Sequence, residues 1–299
     1  MELGIYPDLS IEQYHGSDGV SKTGLCLIDE APAVYRWARD HGGGKETKSL
    51  RLGTALHTAM EGTFFEIYAI GPDAARKTII WKEFEAAHQG KICLKPDEAE
   101  PVLQMRAAIL RHRPGADLLT RPGRFEVSYF WVDPATGLLC KCRPDWISAN
   151  QLTIIDFKTA RDVSHAKFQK AAYDLHYFVS AAMSMEGVFQ TTGILPQRYI
   201  FLCVQPTAPY LVAAYEATAD EIALGREFVS RNLALLKQCL ETGEWPGLPE
   251  EIRPLGLPRY APKPGHAPDP NADLIHQLER EFSDVACQEG PESGLFHTG

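Results

Sequence analysis

Leu138-Leu139-Cys140-Lys141-Cys142-Arg143-Pro144-Asp145-Trp146-Ile147 is followed, across a polar loop at Asn150, by Leu152-Thr153-Ile154-Ile155-Asp156-Phe157-Lys158. Both segments are rich in large apolar and β-branched residues, which favour strands. Side chains two apart on a strand share a face. Asp156 and Lys158 therefore lie together, while Ile155 and Phe157 turn toward a core. On the preceding segment Lys141, Arg143 and Asp145 share one face, and Cys140, Cys142 and Trp146 share the other. Charged residues alternating along strands otherwise made for burial mark a site. Just upstream, Phe125 to Val132 alternates large apolar residues and runs into the turn signal Asp133-Pro134-Ala135-Thr136-Gly137, which predicts a β-hairpin.

Outward from the hairpin the period becomes helical. Ser21 to Asp40 reads as a helix capped by Ser21, with Leu25, Leu27 and Ile28 apolar, until Pro32 interrupts it. Leu50 to Phe65 places Leu52, Ala55, Leu56 and Met60 at helical spacing, with His57 and Glu61 one turn apart. A third helix spans Pro96 to Arg111. A long one runs from Ser164 to Glu186, with Phe168, Ala172, Leu175, Val179, Ala182 and Met183 on one side. Tyr199 to Gln205 and Tyr210 to Glu216 supply a strand pair around Pro206 to Pro209. This order predicts an α/β fold, a mixed central β-sheet flanked by helices.

At 299 residues, 44% hydrophobic and 23% charged, the composition is that of a soluble globular protein. No apolar run approaches the ~20 residues of a membrane-spanning helix, and Met1 to Tyr14 lacks the layout of a signal peptide. A cytoplasmic protein without membrane association is expected. Seven cysteines without a secretion signal read as reduced thiols. A net charge of −9 excludes a uniformly basic DNA-coating surface but leaves room for cations confined to one channel. Prolines recur from Pro246 to Pro270, so the folded core is expected to end near residue 250. Residues 251–299 then form a Pro-rich extension with a short helix from Ala272 to Phe282 and a mobile tail from Gln288.

A carboxylate on one strand, then a carboxylate and a lysine on the next, suit phosphodiester hydrolysis. Two carboxylates hold a hard divalent cation such as Mg2+, with Mn2+ as a substitute; the cation acidifies a water and offsets charge on the phosphate. The lysine orients or deprotonates the attacking water, or offsets charge in the transition state. Arg143-Pro144-Asp145, ten intervening residues, then Asp156-Phe157-Lys158 resembles the PD-(D/E)xK nuclease signature. The longer strings Phe125-Glu126-Val127-Ser128-Tyr129-Phe130-Trp131 and Thr136 to Asp145 resemble the exonuclease VIII (RecE) family of phage recombination nucleases. So do Gly53-Thr54-Ala55-Leu56-His57, Tyr173-Asp174-Leu175-His176-Tyr177 and the opening Ser21-Lys22-Thr23-Gly24-Leu25. The resemblance covers about residues 8 to 245 and implies a PD-(D/E)xK, restriction-endonuclease-like core within residues 1–250.

That resemblance implies that Asp145 and Asp156 bind the metal, with the main-chain carbonyl of Phe157 as a further ligand, and that Lys158 is the catalytic lysine. It places His57 beside a second metal position and makes Glu126 the acid that supports the metal-bound water. Without it, His57 reads as a structural partner of Glu61, and Glu126 as a solvated strand residue. Superfamily members often carry Gln-x-x-x-Tyr on the helix after the lysine strand. Here the aligned positions are Ser180 and Ser184, while Gln169 and Tyr173 stand at the same spacing nearer the helix start. Tyr173 and Tyr177 also read as packing residues. Arg143 and Arg161 read equally as phosphate contacts or surface charge. Ser21 and Thr23, at a helix N-terminus, read as an anion pocket. Cys140 and Cys142 lack the spacing of an iron–sulfur site and read as small buried hydrophobes.

Functionally, the resemblance implies a 5′-to-3′ exodeoxyribonuclease that digests one strand of linear double-stranded DNA. It also implies a trimeric or tetrameric homo-oligomeric ring and a prophage recombination partner, a single-strand annealing protein of the RecT/Bet type, for which the Pro-rich extension is a candidate docking element. An endonuclease or helicase-linked nuclease of the same fold is one alternative. A non-catalytic DNA-binding recombination scaffold is another, and it needs a missing ligand or lysine; none is missing.

Overall fold

The computed structural model of the protein describes residues 2–42 and 47–256. The expected helix and tail of the Pro-rich extension lie outside these residues. The chain divides into two units, Met1–Leu248 and Pro249–Gly299, and every element below belongs to the first.

The chain opens with β1 (Gly4–Tyr6), α1 (Ile11–Gly16), α2 (Lys22–Glu30), α3 (Pro32–His41), α4 (Lys48–Glu61), α5 (Phe64–Ile67), β2 (Tyr68–Ile70), α6 (Ile79–Ala87), β3 (Ile92–Leu94), α7 (Pro96–Arg111) and α8 (Arg113–Leu119). It continues with β4 (Gly123–Phe125), β5 (Ser128–Val132), β6 (Leu139–Cys142), β7 (Trp146–Ser148), β8 (Thr153–Thr159), α9 (His165–Asp174), α10 (Tyr177–Thr192), β9 (Arg198–Val204), β10 (Val212–Glu216) and α11 (Ala219–Thr242). The central sheet has the order β10-β9-β8-β7-β4, with β8 and β9 parallel and the other pairs antiparallel. This is the mixed, helix-flanked sheet expected from the element order. Its parallel step needs a crossover, which α9 and α10 supply.

Period-two alternation sorts the sheet into two cores. Ile155 and Phe157 of β8, with Ile200, Leu202 and Val204 of β9, meet Leu56 of α4 and Met105 and Ile109 of α7. Ile154, Tyr199, Phe201 and Cys203 meet α2, α9, α10 and α11 through Leu25, Phe168, Val179 and Phe228. Each fully buried aliphatic or aromatic side chain favours folding by ~1.5–3 kcal/mol over exposure. The register is thereby fixed, because a one-residue slip of β8 would drive Asp156 and Lys158 into the α4–α7 core. No helix among the described residues is long and apolar enough to cross a membrane. The six cysteines described are free thiols, with Cys140 and Cys142 in the α10-side core.

The structure departs from the sequence reading in the hairpin and in two helices, of which the one expected over Leu50 to Phe65 ends at Glu61, where Gly62 takes a left-handed φ of 95°, and α5 follows separately. Neither arm of the hairpin is continuous. The first breaks at Glu126, whose φ is 52°; the second breaks at Arg143-Pro144-Asp145, where proline has no N–H for a ladder. The tips, β5 and β6, therefore join β1 in a separate three-stranded sheet, while the bases, β4 and β7, stay in the central one. Lys141, Arg143 and Asp145 consequently do not share a strand face. The long helix from Ser164 is also two helices, because His176 takes a left-handed φ of 54° between α9 and α10.

Candidate active site

β7 pairs with β8 only at Trp146↔Ile155 and Ile147↔Ile154. Past Ile155, β8 loses its ladder neighbour on that side, and Asp145 fills the gap: its Oδ2 accepts the Phe157 N–H at 2.6 Å. The Asp145 carbonyl accepts the Glu126 N–H at 3.0 Å, so the two strand breaks hold these acids side by side. From the other face, α4 brings in His57. Its Nδ1 lies 3.4 Å from both Glu126 Oε1 and Asp145 Oδ1, and its Nε2 lies 3.3 Å from the Phe157 carbonyl oxygen. Glu61, the alternative partner for His57, accepts from Thr63 instead. His57, Glu126 and Asp145 each offer one ligand atom, all within 4.8 Å of one another.

Asp156 and Lys158 approach from the α10 side of β8. Lys158 Nζ donates to Asp156 Oδ1 and sits 5.0 Å from the centroid of the Tyr177 ring. The second Asp156 oxygen accepts from the Tyr199 hydroxyl at 2.9 Å. Asp145, whose Oδ2 holds the N–H of the residue after Asp156, joins the two halves of the site.

The electrostatics fit a divalent cation. Burial raises the Asp145 carboxyl well above the ordinary carboxylate range, and the nearby Asp156 charge adds to the rise. Burial also opposes ionisation of Asp156, but Lys158, with hydrogen bonds from Asp145, Lys158 and Tyr199, outweighs it and keeps Asp156 below the usual range. Burial disfavours the charged His57 ring, yet Asp145 and Glu126 lift it to about 9. Burial likewise opposes the Lys158 charge, and Asp156 with Asp145 hold that ammonium above its ordinary value. Two carboxylates and an imidazole, with a carbonyl alongside, form a donor set that could hold a divalent cation.

A cavity of about 1130 Å3 reaches the site from the Asp156–Lys158 side: it is lined by Arg143, Asp145, Asp156 and Lys158, by Ser21, Lys22 and Thr23 at the start of α2, and by Ser180 and Ser184 of α10, whereas His57 and Glu126 are not among its lining residues. Ser21 precedes α2 without a side-chain bond to the helix. Gln169 and Tyr173 do not line this cavity. They are exposed on α9, Tyr173 stacking on Phe178 with centroids 5.9 Å apart. Arg161 is exposed beyond the end of β8. Arg143 is turned inward, its side chain only 11% exposed, and donates from Nε to Glu126 Oε2 at 2.7 Å. That placement corrects the surface-charge reading.

Tyr199 and Lys22 were not singled out from the sequence. Lys22 Nζ donates to the Leu175 carbonyl at 2.8 Å, at the α9–α10 break, and lies 6.0 Å from the Tyr177 ring centroid that also faces Lys158. For Tyr199, alternation in its strand predicts a core-facing ring; only the neighbouring strand shows what its hydroxyl meets.

Residues 27–255 match the family described as a PDDEXK-like domain of unknown function (DUF3799). The chain belongs to that family. Both strands of the motif lie inside the match, as do His57 and Glu126. A crystal structure from Eubacterium rectale, named as a "Putative exonuclease", has the same fold at a TM-score of 0.59 and 14% identity, covering 84% of this chain and 96% of its own. A second solved protein, SSO0001, aligns at 13% identity over 70% of this chain and 87% of its own, with a TM-score of 0.29 that carries no argument. No curated protein matches the chain.

Proposed function

We propose that this PDDEXK-like domain is a Mg2+-dependent nuclease that digests one strand of linear double-stranded DNA from its 5′ end, with Mn2+ as a substitute. The observation that carries the reading is the convergence of His57, Glu126 and Asp145 within 4.8 Å, joined through Asp145 to the Asp156–Lys158 pair. Asp145, Asp156, His57 and the Phe157 carbonyl would hold the cation, with Glu126 supporting its bound water; of these, His57, Glu126 and Asp145 already stand within 4.8 Å of one another. When bound, the cation supplies charge to the phosphodiester and acidifies water. Lys158 stands where its ammonium can orient that water or stabilise charge on the phosphate.

The name of the Eubacterium rectale protein favours exonuclease over endonuclease action. The remaining elements of the proposal rest on the resemblance: the 5′-to-3′ direction, a cytoplasmic setting, a trimeric or tetrameric ring, and a RecT/Bet-like annealing partner in recombination. The test is degradation of a linear duplex labelled separately at each 5′ end, with Mg2+ and with chelator, for wild type and Lys158→Ala. Loss from the 5′ ends alone, abolished by chelator and by the substitution, is the expected result. Cleavage of closed circles would reassign the site to an endonuclease, and no cleavage at all would sink the enzymatic reading.

A further inference from the structure

The family match begins at residue 27, yet the side chain that holds Glu126 is itself fastened by the chain before it. Arg143 Nε donates to Glu126 Oε2 at 2.7 Å, while Nη1 donates to the Leu9 carbonyl at 2.8 Å and to Ser128 Oγ at 3.0 Å. Its guanidinium carbon lies 5.7 Å from the Tyr14 ring centroid. Two residues earlier, Lys141 Nζ donates to the carbonyls of Tyr14 at 2.7 Å and Ser17 at 2.6 Å. The backbone of Val20 exchanges hydrogen bonds with Leu139 and Lys141 at 2.8 and 2.9 Å, and β1 pairs with β5 from Gly4↔Phe130 to Tyr6↔Ser128. Residues 4–20 are thus tied to the tip of the hairpin by backbone ladder and by two inward-facing cations.

The fastening falls where the chain needs it. Glu126 has a left-handed φ of 52°, a conformation that costs a non-glycine residue energy and persists only when its surroundings enforce it. A guanidinium presents its donors in a rigid fork, so one group can bind a carboxylate, a carbonyl and a hydroxyl in fixed directions. Glu126 Oε2 is taken by Arg143, which leaves Oε1 facing His57.

We propose that Arg143 is a positioning residue: anchored by the Leu9 carbonyl and Ser128, it fixes the Glu126 carboxylate toward His57 and Asp145, which makes residues 4–20 part of the metal centre. The inference rests on the nuclease reading only for its kinetic arm. In the full-length protein, Arg143→Lys keeps the charge and removes the fork. Calorimetric titration with Mn2+ in the absence of DNA should show affinity reduced roughly 10- to 100-fold, the range for groups that orient metal ligands. In cleavage assays kcat should fall while the KM for DNA stays at the wild-type value. Wild-type Mn2+ affinity, or a raised KM with unchanged kcat, would overturn the proposal and make Arg143 a phosphate contact.

Two further variants keep the test decisive if Arg143→Lys folds poorly by circular dichroism. Ser128→Ala deletes one acceptor of the fork and should lower Mn2+ affinity in the same direction by a smaller factor; no change counts against the clamp. In a Glu126→Gln background Arg143→Lys should cost no more Mn2+ affinity than Glu126→Gln alone, and additive losses would show that Arg143 acts elsewhere. A wild type that binds Mn2+ but cuts no DNA would sink the nuclease reading and leave the clamp standing.

Discussion

The hydroxyl of Tyr199 donates to Oδ2 of Asp156 at 2.9 Å across the parallel β8–β9 step, from a ring only 2% exposed. Tyr199→Phe keeps the ring and its packing but leaves a buried carboxylate short of a donor. Hydrogen bonds to charged groups contribute about 1.5–3 kcal/mol, so urea unfolding in chelator should show a loss of that order. With Asp156 less firmly held, half-maximal activity should require more Mg2+. Unchanged stability and an unchanged Mg2+ curve would mean that the hydroxyl does nothing for the site.

Lys158 is fixed between Asp156 and the Tyr177 ring. Lys158→Ala should reduce cleavage by roughly 10²–10³, the usual loss when one transition-state donor is removed. Mn2+ should still bind, since the lysine is no ligand. Lys158→Arg should not restore the rate, because a planar fork cannot take the place of a compact ammonium held between Asp156 and the Tyr177 ring. Single-turnover cleavage beside Mn2+ calorimetry separates these outcomes.

The pH dependence of metal binding follows from His57. Burial disfavours its charge, but Asp145 and Glu126 raise it from 6.5 to about 9. Only the neutral imidazole can ligate, so Mn2+ affinity should rise with pH and level off above about 9. The stability effect has the opposite slope. A group whose folded pKa is raised contributes stability that is complete below the unfolded value and is lost as pH rises through the folded one. In chelator, the urea-unfolding advantage of wild type over His57→Gln should therefore be greatest below pH 6.5 and shrink toward about 9. A pH-independent difference would remove His57 from the charged cluster.

Gly225 sets the distance between α11 and α10. A Cβ there would lie 2.3 Å from the Phe178 carbonyl oxygen and 2.7 Å from the Ala182 Cβ, and backbone cannot step aside as a side chain can. Gly225→Ala should cost about 1–3 kcal/mol by overpacking. Differential scanning calorimetry should report the lower Tm. Because α10 carries Ser180, Met183 and Ser184 to the cavity, cleavage should weaken as well.

Much of the site was legible because strand alternation is local. Asp156 and Lys158 on one side, with Ile155 and Phe157 on the other, follow from the two-residue repeat alone. The helix from Pro96 to Arg111 is equally local, with proline and acids at its start and arginine at its end. The breaks at Glu126 and His176 were not legible. Both residues adopt positive φ without being glycine, which sequence patterns do not announce. The same holds for Gln169 and Tyr173: their spacing suggested a site motif, but the break at His176 places Ser180 and Ser184 on the cavity instead.

The sequence by itself determined that Asp156 and Lys158 share one face of β8 beside a core-bound strand, because the two-residue repeat is local and burying charge without a use is costly. Tertiary structure decided what surrounds them. The split hairpin made Arg143, which the sequence left equally a phosphate contact or a surface charge, the partner of Glu126, and the parallel pairing of β8 with β9 brought Tyr199 to Asp156. Those contacts join residues distant in the chain. Their distances depend on strand order and on where a ladder ends, which are settled by the packing of the whole sheet and not by any local run of residues.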